Sequence, residues 1–98
     1  MRSGVTLNTR VKSQFKKDLK NAIRDPKKNT DLLKKIIQTY LVKNKKVPEQ
    51  YKPHQLIGEW KPHMECHIQP GFLLIWDIDE KANELILVRC GSHSELFG

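Results

Sequence analysis

Cysteine is scarce in this sequence of 98 residues, with Cys66 and Cys90 its only two. At most one disulfide could form, which argues against a stapled secreted scaffold. Reduced thiols packed as small apolar side chains are the expectation. Long apolar runs are missing as well. No stretch could cross a bilayer, and the opening MRSGVTLNTR lacks the apolar core of a signal peptide, so a cytoplasmic protein with no membrane partner is expected. Acids are sparse in one half only. Residues 1–50 carry 4 acids against 14 lysines and arginines, whereas residues 51–98 carry 7 against 4.

What is present suits one small domain spanning residues 1–98, with 38% apolar and 30% charged residues. The basic half is either a solvated helical surface or the footprint of a polyanion binder. All four histidines, His54, His63, His67 and His93, lie in the other half.

Periodicity divides the chain at about Pro53. GVTLN reads as a short first strand. From an N-cap at Asn8 or Thr9, Val11, Phe15, Leu19, Ala22 and Ile23 form a helical stripe that Asp25-Pro26 ends. A second helix begins near Thr30-Asp31, with Leu32, Leu33, Ile36, Ile37, Tyr40 and Leu41 on one face. FLLIWDID and ELILVRC then read as strands joined by the turn EKAN. The expected fold is α+β, with an N-terminal strand and an antiparallel two-helix hairpin packed on an antiparallel sheet of three or four strands.

The stretch HMECHIQ, residues 63–69, first suggests a metal site. As a strand it separates by parity, with Met64, Cys66 and Ile68 toward the core and His63, Glu65, His67 and Gln69 on the other face. His63 and His67 are then about 13 Å apart at ~3.3 Å per residue, too far to share an ion through bonds of ~2 Å. No metal or other cofactor is expected. Glu65 and His67 are neighbours at roughly 7 Å by the same spacing, where a carboxylate can orient an imidazole.

The second half, YKPHQLIGEWKPHMECHIQPGFLLIW and LVRCGSHSELFG, closely resembles the YafQ-type branch of the RelE/ParE superfamily of bacterial toxins. The resemblance rests on three motifs in order: a histidine before Leu-x-Gly-x-Trp-Lys, a Glu-Cys-His strand, and Gly-Ser-His-Ser-x-Leu-Phe. It implies a RelE-like fold and the toxin of a type II toxin–antitoxin pair, an endoribonuclease that cuts messenger RNA in the ribosomal A site. The implied partners are a cognate antitoxin, messenger RNA and the ribosome. By motif, His54, His67 and His93 match the active-site histidines and Glu65 an acidic position. Arg89 and Phe97 match a basic residue and an aromatic near the scissile bond, with Lys52 and Lys61 as further RNA contacts. Two positions depart from the pattern. Gly71 stands where relatives carry an aspartate and Met64 where they often carry an arginine, which would lower catalytic activity. The motif leaves open which histidine is base and which is acid.

Two alternatives share the fold. The ParE branch poisons DNA gyrase and lacks the histidine set, and a basic RNA- or DNA-binding protein without chemistry, a weakened toxin, is the other. Three smaller expectations complete the reading. Trp60 packs, Trp76 is core, and His63, which has no counterpart in the resemblance, is a solvated surface residue.

Overall fold

The computed structural model describes residues 6–98. Strand β1 (Asn8–Val11) leads into helix α1 (Ser13–Arg24). Helix α2 (Thr30–Lys35) runs on through a π-helical segment (Ile36–Leu41) into a last turn, α3 (Val42–Asn44). A 3-10 turn (Glu49–Tyr51), the short strand β2 (His54–Gln55) and a second 3-10 turn (Gly58–Trp60) lead to β3 (Met64–Gln69), β4 (Phe72–Asp79) and β5 (Glu84–Gly91). Helix α4 (His93–Phe97) follows.

The fold is α+β as expected, and its sheet is larger and mixed. Five strands run in the order β1-β5-β4-β3-β2. All pairings are antiparallel except β1 with β5, which is parallel, Asn8 beside Glu84 and Val11 beside Leu87. This parallel edge changes the reading of the first residues. Of the expected strand GVTLN, Gly4 and Val5 lie outside the described residues, Thr6 and Leu7 are not in a strand, and only Asn8 belongs to β1. Asn8 and Thr9 cap nothing. The N-cap of α1 is Lys12, without a side-chain bond, and Val11 belongs to the strand. Pairing with β5 outweighs the local capping preference here.

Helix α1 ends at Asp25, ahead of Pro26, because the residue before proline avoids the α region. Its core-facing residues are Phe15, Asp18 and Ala22, while Ile23 is 58% exposed and so falls off the expected stripe. Asn29 caps α2, its side chain accepting from Leu32 N at 2.9 Å. The π-helical segment carries bonds of i→i+5 type, Val42 N to Ile37 O among them. That widened turn lets Ile36 and Leu41, five residues apart, both be fully buried. Gln69 pins the loop between α1 and α2 to the end of β3, donating to Lys27 O at 3.0 Å and accepting from Asn29 N at 2.6 Å.

Strand β4 explains the unbroken apolar run FLLIW. Phe72, Leu74 and Trp76 face the helices in the main core, with Leu33, Ile36, Leu41, Cys66 and Leu85. Leu73 and Ile75 face the other way, into a smaller cluster closed by Leu96 with Leu56, Trp60, Val88 and Phe97. Alternation along one strand thus feeds two apolar layers. A bulge between Trp76 and Ile75 leaves Val88 unpaired opposite them.

Cys66 and Cys90 are both buried and free, each paired with Leu74 from opposite sides of β4. Two strand spacings, ~10 Å, separate them, beyond the ~7 Å Cα limit for a disulfide. Burial pushes both thiols up to about 12, with Glu65 raising Cys66 and Asp18 raising Cys90 further.

Candidate active site

The sheet face away from α1 and α2 holds the titratable row. Hairpin register sets it: the Pro70-Gly71 turn places Gln69 opposite Phe72, and a bulge between Gln69 and His67 then shifts the pairing of β3 with β4 so that His67 lies opposite Leu73 and Glu65 opposite Ile75. Gly71 has φ +84, a left-handed conformation that the turn requires, and nothing stands within 4 Å of where a Cβ would be. Strand β2 adds His54 beside Glu65 on the outer edge.

Glu65 is the centre of this row and is only 5% exposed, not the solvated carboxylate that parity alone suggests. Its Oε1 lies 3.1 Å from His54 Nε2 and 3.9 Å from His67 Nε2, and the two imidazole rings are 6.3 Å apart. The other oxygen, Oε2, is buried without a hydrogen-bond partner. His54 is held at both nitrogens, because Nδ1 lies 3.0 Å from Lys52 O. A carbonyl oxygen only accepts, so Nδ1 carries a hydrogen and Nε2 is the nitrogen that shares a proton with Glu65. Lys52 reaches this position in a left-handed conformation, φ 54, which costs a non-glycine residue ~1–2 kcal/mol. His67, half-exposed, stands past hydrogen-bond reach of Glu65 and keeps its Nε2 free of that pair.

His93 arrives from the other side. Gly91, Leu73 and His67 share one rung of the sheet, and α4 starts two residues beyond Gly91. This helix lies over the same face, with Leu96 packed on Leu73 and Ile75. Gly91 permits that approach, since a Cβ there would stand 2.9 Å from Glu95 Oε1. A capping box holds the first turn: Ser92 N donates to Glu95 Oε1 at 2.7 Å and Glu95 N to Ser92 Oγ at 3.2 Å. Lys28 reaches from the loop between α1 and α2 to the same Glu95 oxygen at 2.7 Å. The Lys28 ammonium, helped by the Ser92 N–H, holds the Glu95 carboxyl down to about 2. His93 itself is exposed, its ring 4.9 Å from that of Phe97.

The remaining candidates divide. Phe97 is half-buried against Trp60, their rings 5.2 Å apart and edge to face, so it belongs to the small cluster as well as to the site's rim. Lys52 and Lys61 are exposed on either side of β2. Arg89 turns to α1, donating from Nε to Asp18 Oδ2 at 2.7 Å and from Nη2 to Oδ1 at 3.2 Å. That contact raises its pKa further. Sequence reasoning missed Asp18, which is only 9% exposed, a burial that no periodicity announces. It also missed His63. This residue is half-buried and not solvated, its Nδ1 2.6 Å from Asp77 Oδ2. Counting outward from the two-residue Pro70-Gly71 turn would set residue 63 opposite residue 78, and only the bulge between His67 and Gln69, which no sequence pattern announces, brings it into line with Asp77.

Residues 7–98 match the family described as bacterial toxin of type II toxin–antitoxin system, YafQ. The mRNA interferase toxin YafQ of Escherichia coli is 37% identical over 87 residues, covering 87% of this chain and 89% of the relative. Among solved structures, a metal-bound toxin from Helicobacter pylori superposes with a TM-score of 0.81 at 37% identity, over 93% of this chain and 99% of that one. The E. coli DinJ–YafQ toxin–antitoxin complex gives 0.81 at 33% identity, over 96% and 100%. Family match, identity and superposition agree, and the chain belongs to the YafQ family of type II toxins.

Proposed function

We propose that this toxin is an endoribonuclease that cuts messenger RNA in the ribosomal A site. The observation that carries the reading is one sheet face with His54, Glu65 and His67 at one side and His93 at the other, separated by the apolar floor of Leu73 and Ile75. The name mRNA interferase carried by the E. coli relative supports the same activity.

The reaction needs two proton transfers. The ribose 2′-hydroxyl loses its proton to a base while its oxygen attacks the adjacent phosphorus. The bond to the 5′-oxygen then breaks and that oxygen takes a proton from an acid, leaving a 2′,3′-cyclic phosphate and a 5′-hydroxyl. His93 is the acid. Of the two candidate bases, His67 is favoured, because both nitrogens of His54 are engaged by Lys52 and Glu65. The His54–Glu65 pair would then orient substrate and hold charge beside His67. Each proton transfer of this kind contributes ~10²–10⁴-fold in rate. Phe97 offers an aromatic edge for an unstacked base. Arg89 is fixed by Asp18 with part of its guanidinium left for a phosphate oxygen.

Lys12, Lys16, Lys17, Lys20, Lys34 and Lys35 are exposed on the helices and would meet ribosomal RNA, giving an affinity that falls steeply with salt. A cognate antitoxin is the second partner, in keeping with the E. coli toxin–antitoxin complex. The test is primer extension on a translated messenger, with and without ribosomes, comparing the protein with its His93→Ala variant. Cuts that need ribosomes and vanish in the variant are expected. Undiminished cutting by the variant would refute the assignment of His93.

A further inference from the structure

Helix α4 has five residues, and an isolated helix shorter than ~12–15 residues is marginal in water. It holds its place because other parts of the chain hold it. At one flank stands Lys28, through Glu95. At the other stands Trp60, whose ring packs edge to face on Phe97 at 5.2 Å, while Phe97 in turn lies 4.9 Å from the His93 ring. Trp60 itself ends a 3-10 turn outside the sheet, in the connection between β2 and β3.

That turn is anchored through His63. Its backbone N–H donates to Trp60 O at 2.8 Å, and its carbonyl accepts from Leu56 N at 2.9 Å. Its ring meets Trp60 in a T-shaped contact at 6.2 Å. The ring is fixed by Asp77 on central strand β4, whose Oδ2 lies 2.6 Å from Nδ1, a short hydrogen bond. A continuous line of contacts therefore runs from β4 to the candidate acid: Asp77, His63, Trp60, Phe97, His93.

We propose that His63, oriented by Asp77, is a positioning residue that sets the placement of His93 through Trp60 and Phe97. It touches neither substrate nor reacting atoms. The proposal rests on the reading of His93 as general acid, and its physical content is geometric. A misplacement of ~1 Å at a catalytic group can cost ~10²-fold in rate. Losing one of several supports of α4 should therefore cost roughly 10-fold in kcat, with a smaller rise in KM, because the same line of contacts holds Phe97 where it meets a base of the messenger.

The experiment compares wild type, His63→Ala, Asp77→Ala, Asp77→Asn and His93→Ala by two readouts: ribosome-dependent cleavage kinetics, and amide hydrogen exchange at Leu96 and Gly98, whose N–H groups bond to Ser92 and Ser94 carbonyls in α4. Expected in His63→Ala and Asp77→Ala are faster exchange in α4, unchanged exchange in β3, β4 and β5, and a kcat lowered by more than KM is raised. Asp77→Asn keeps an oxygen that accepts from Nδ1–H, so it should restore both readouts. Unchanged exchange in α4 overturns the proposal whatever the kinetics. So does faster exchange with wild-type kcat, provided His93→Ala is inactive. Full activity in His93→Ala instead overturns the reading of His93, and the exchange data still report whether His63 holds the helix.

Discussion

Asp18 accepts four hydrogen bonds: two from Arg89, one from Cys90 N at 3.2 Å and one from Gln14 Nε2 at 3.2 Å. Replacing it with alanine orphans the buried Cys90 N–H, a loss of ~1–3 kcal/mol. It also strips Arg89 of its partner. A charge-assisted bond contributes ~1.5–3 kcal/mol, and the low end applies because the Arg89 side chain is 21% exposed and regains water. The expected total for Asp18→Ala is about 3 kcal/mol. Asp18→Asn keeps one acceptor oxygen and should lose about half of that. In urea, with a slope of ~1–1.5 kcal/mol/M for a chain of this size, the alanine variant's midpoint should fall by roughly 2 M at unchanged slope. Gln14→Ala, at an exposed position, should stay within ~0.5 kcal/mol of wild type and serves as the control. A midpoint shift below ~0.3 M for Asp18→Ala would show that this contact does not stabilise the junction of α1 with β5, and the reasoning would be wrong.

The Glu95 carboxyl sits at about 2 because of Lys28 and the Ser92 N–H. A depressed carboxylate contributes stability that is fully present above its ordinary value near 4.5 and fades as pH falls toward 2. The melting difference between wild type and Glu95→Gln should accordingly shrink between pH 5 and pH 2.5; a constant difference would count against the ion pair. Burial holds Cys66 and Cys90 at about 12. At pH 8 the folded protein should therefore resist a thiol reagent that labels both cysteines rapidly once urea unfolds the chain. Gly71→Asp places a side chain in open space at φ +84, so the protein should fold with a loss of ~1–2 kcal/mol in urea titration. If the missing acid limits the chemistry, the same variant should cut messenger faster than wild type.

Much of this architecture is written locally. The limits of β4 and β5, the end of α1 at Asp25 and the start of α2 at Thr30 follow from periodicity, proline and capping. The parity of MECHIQ likewise gives the faces of Cys66 and Glu65. What escaped depends on contacts between distant segments. Asn8–Val11 looks like a helix entry until β5 supplies a parallel partner. Glu65 looks solvated until β2 brings His54 beside it. Arg89 invites a phosphate in sequence, and only the placement of α1 reveals Asp18 against it. The π-helical segment is likewise invisible to a 3.6-residue stripe, since it breaks that period while keeping the same face buried.

The parallel seam between β1 and β5 bears on how the chain folds as it is made. The edge strand of the N-terminal half must wait for β5, and so must α1, whose inner side rests on the same strand. Closure therefore spans most of the sequence, which places the fold toward the slow end for its size. In that interval the run Phe72–Trp76, apolar and strongly β-forming, has been synthesised without its neighbour on one side, the condition under which nascent strands aggregate. When β5 inserts between β1 and β4 it ends that exposure and carries α4 onto the sheet behind it. Completion of the fold and assembly of the histidine face are thus a single late event.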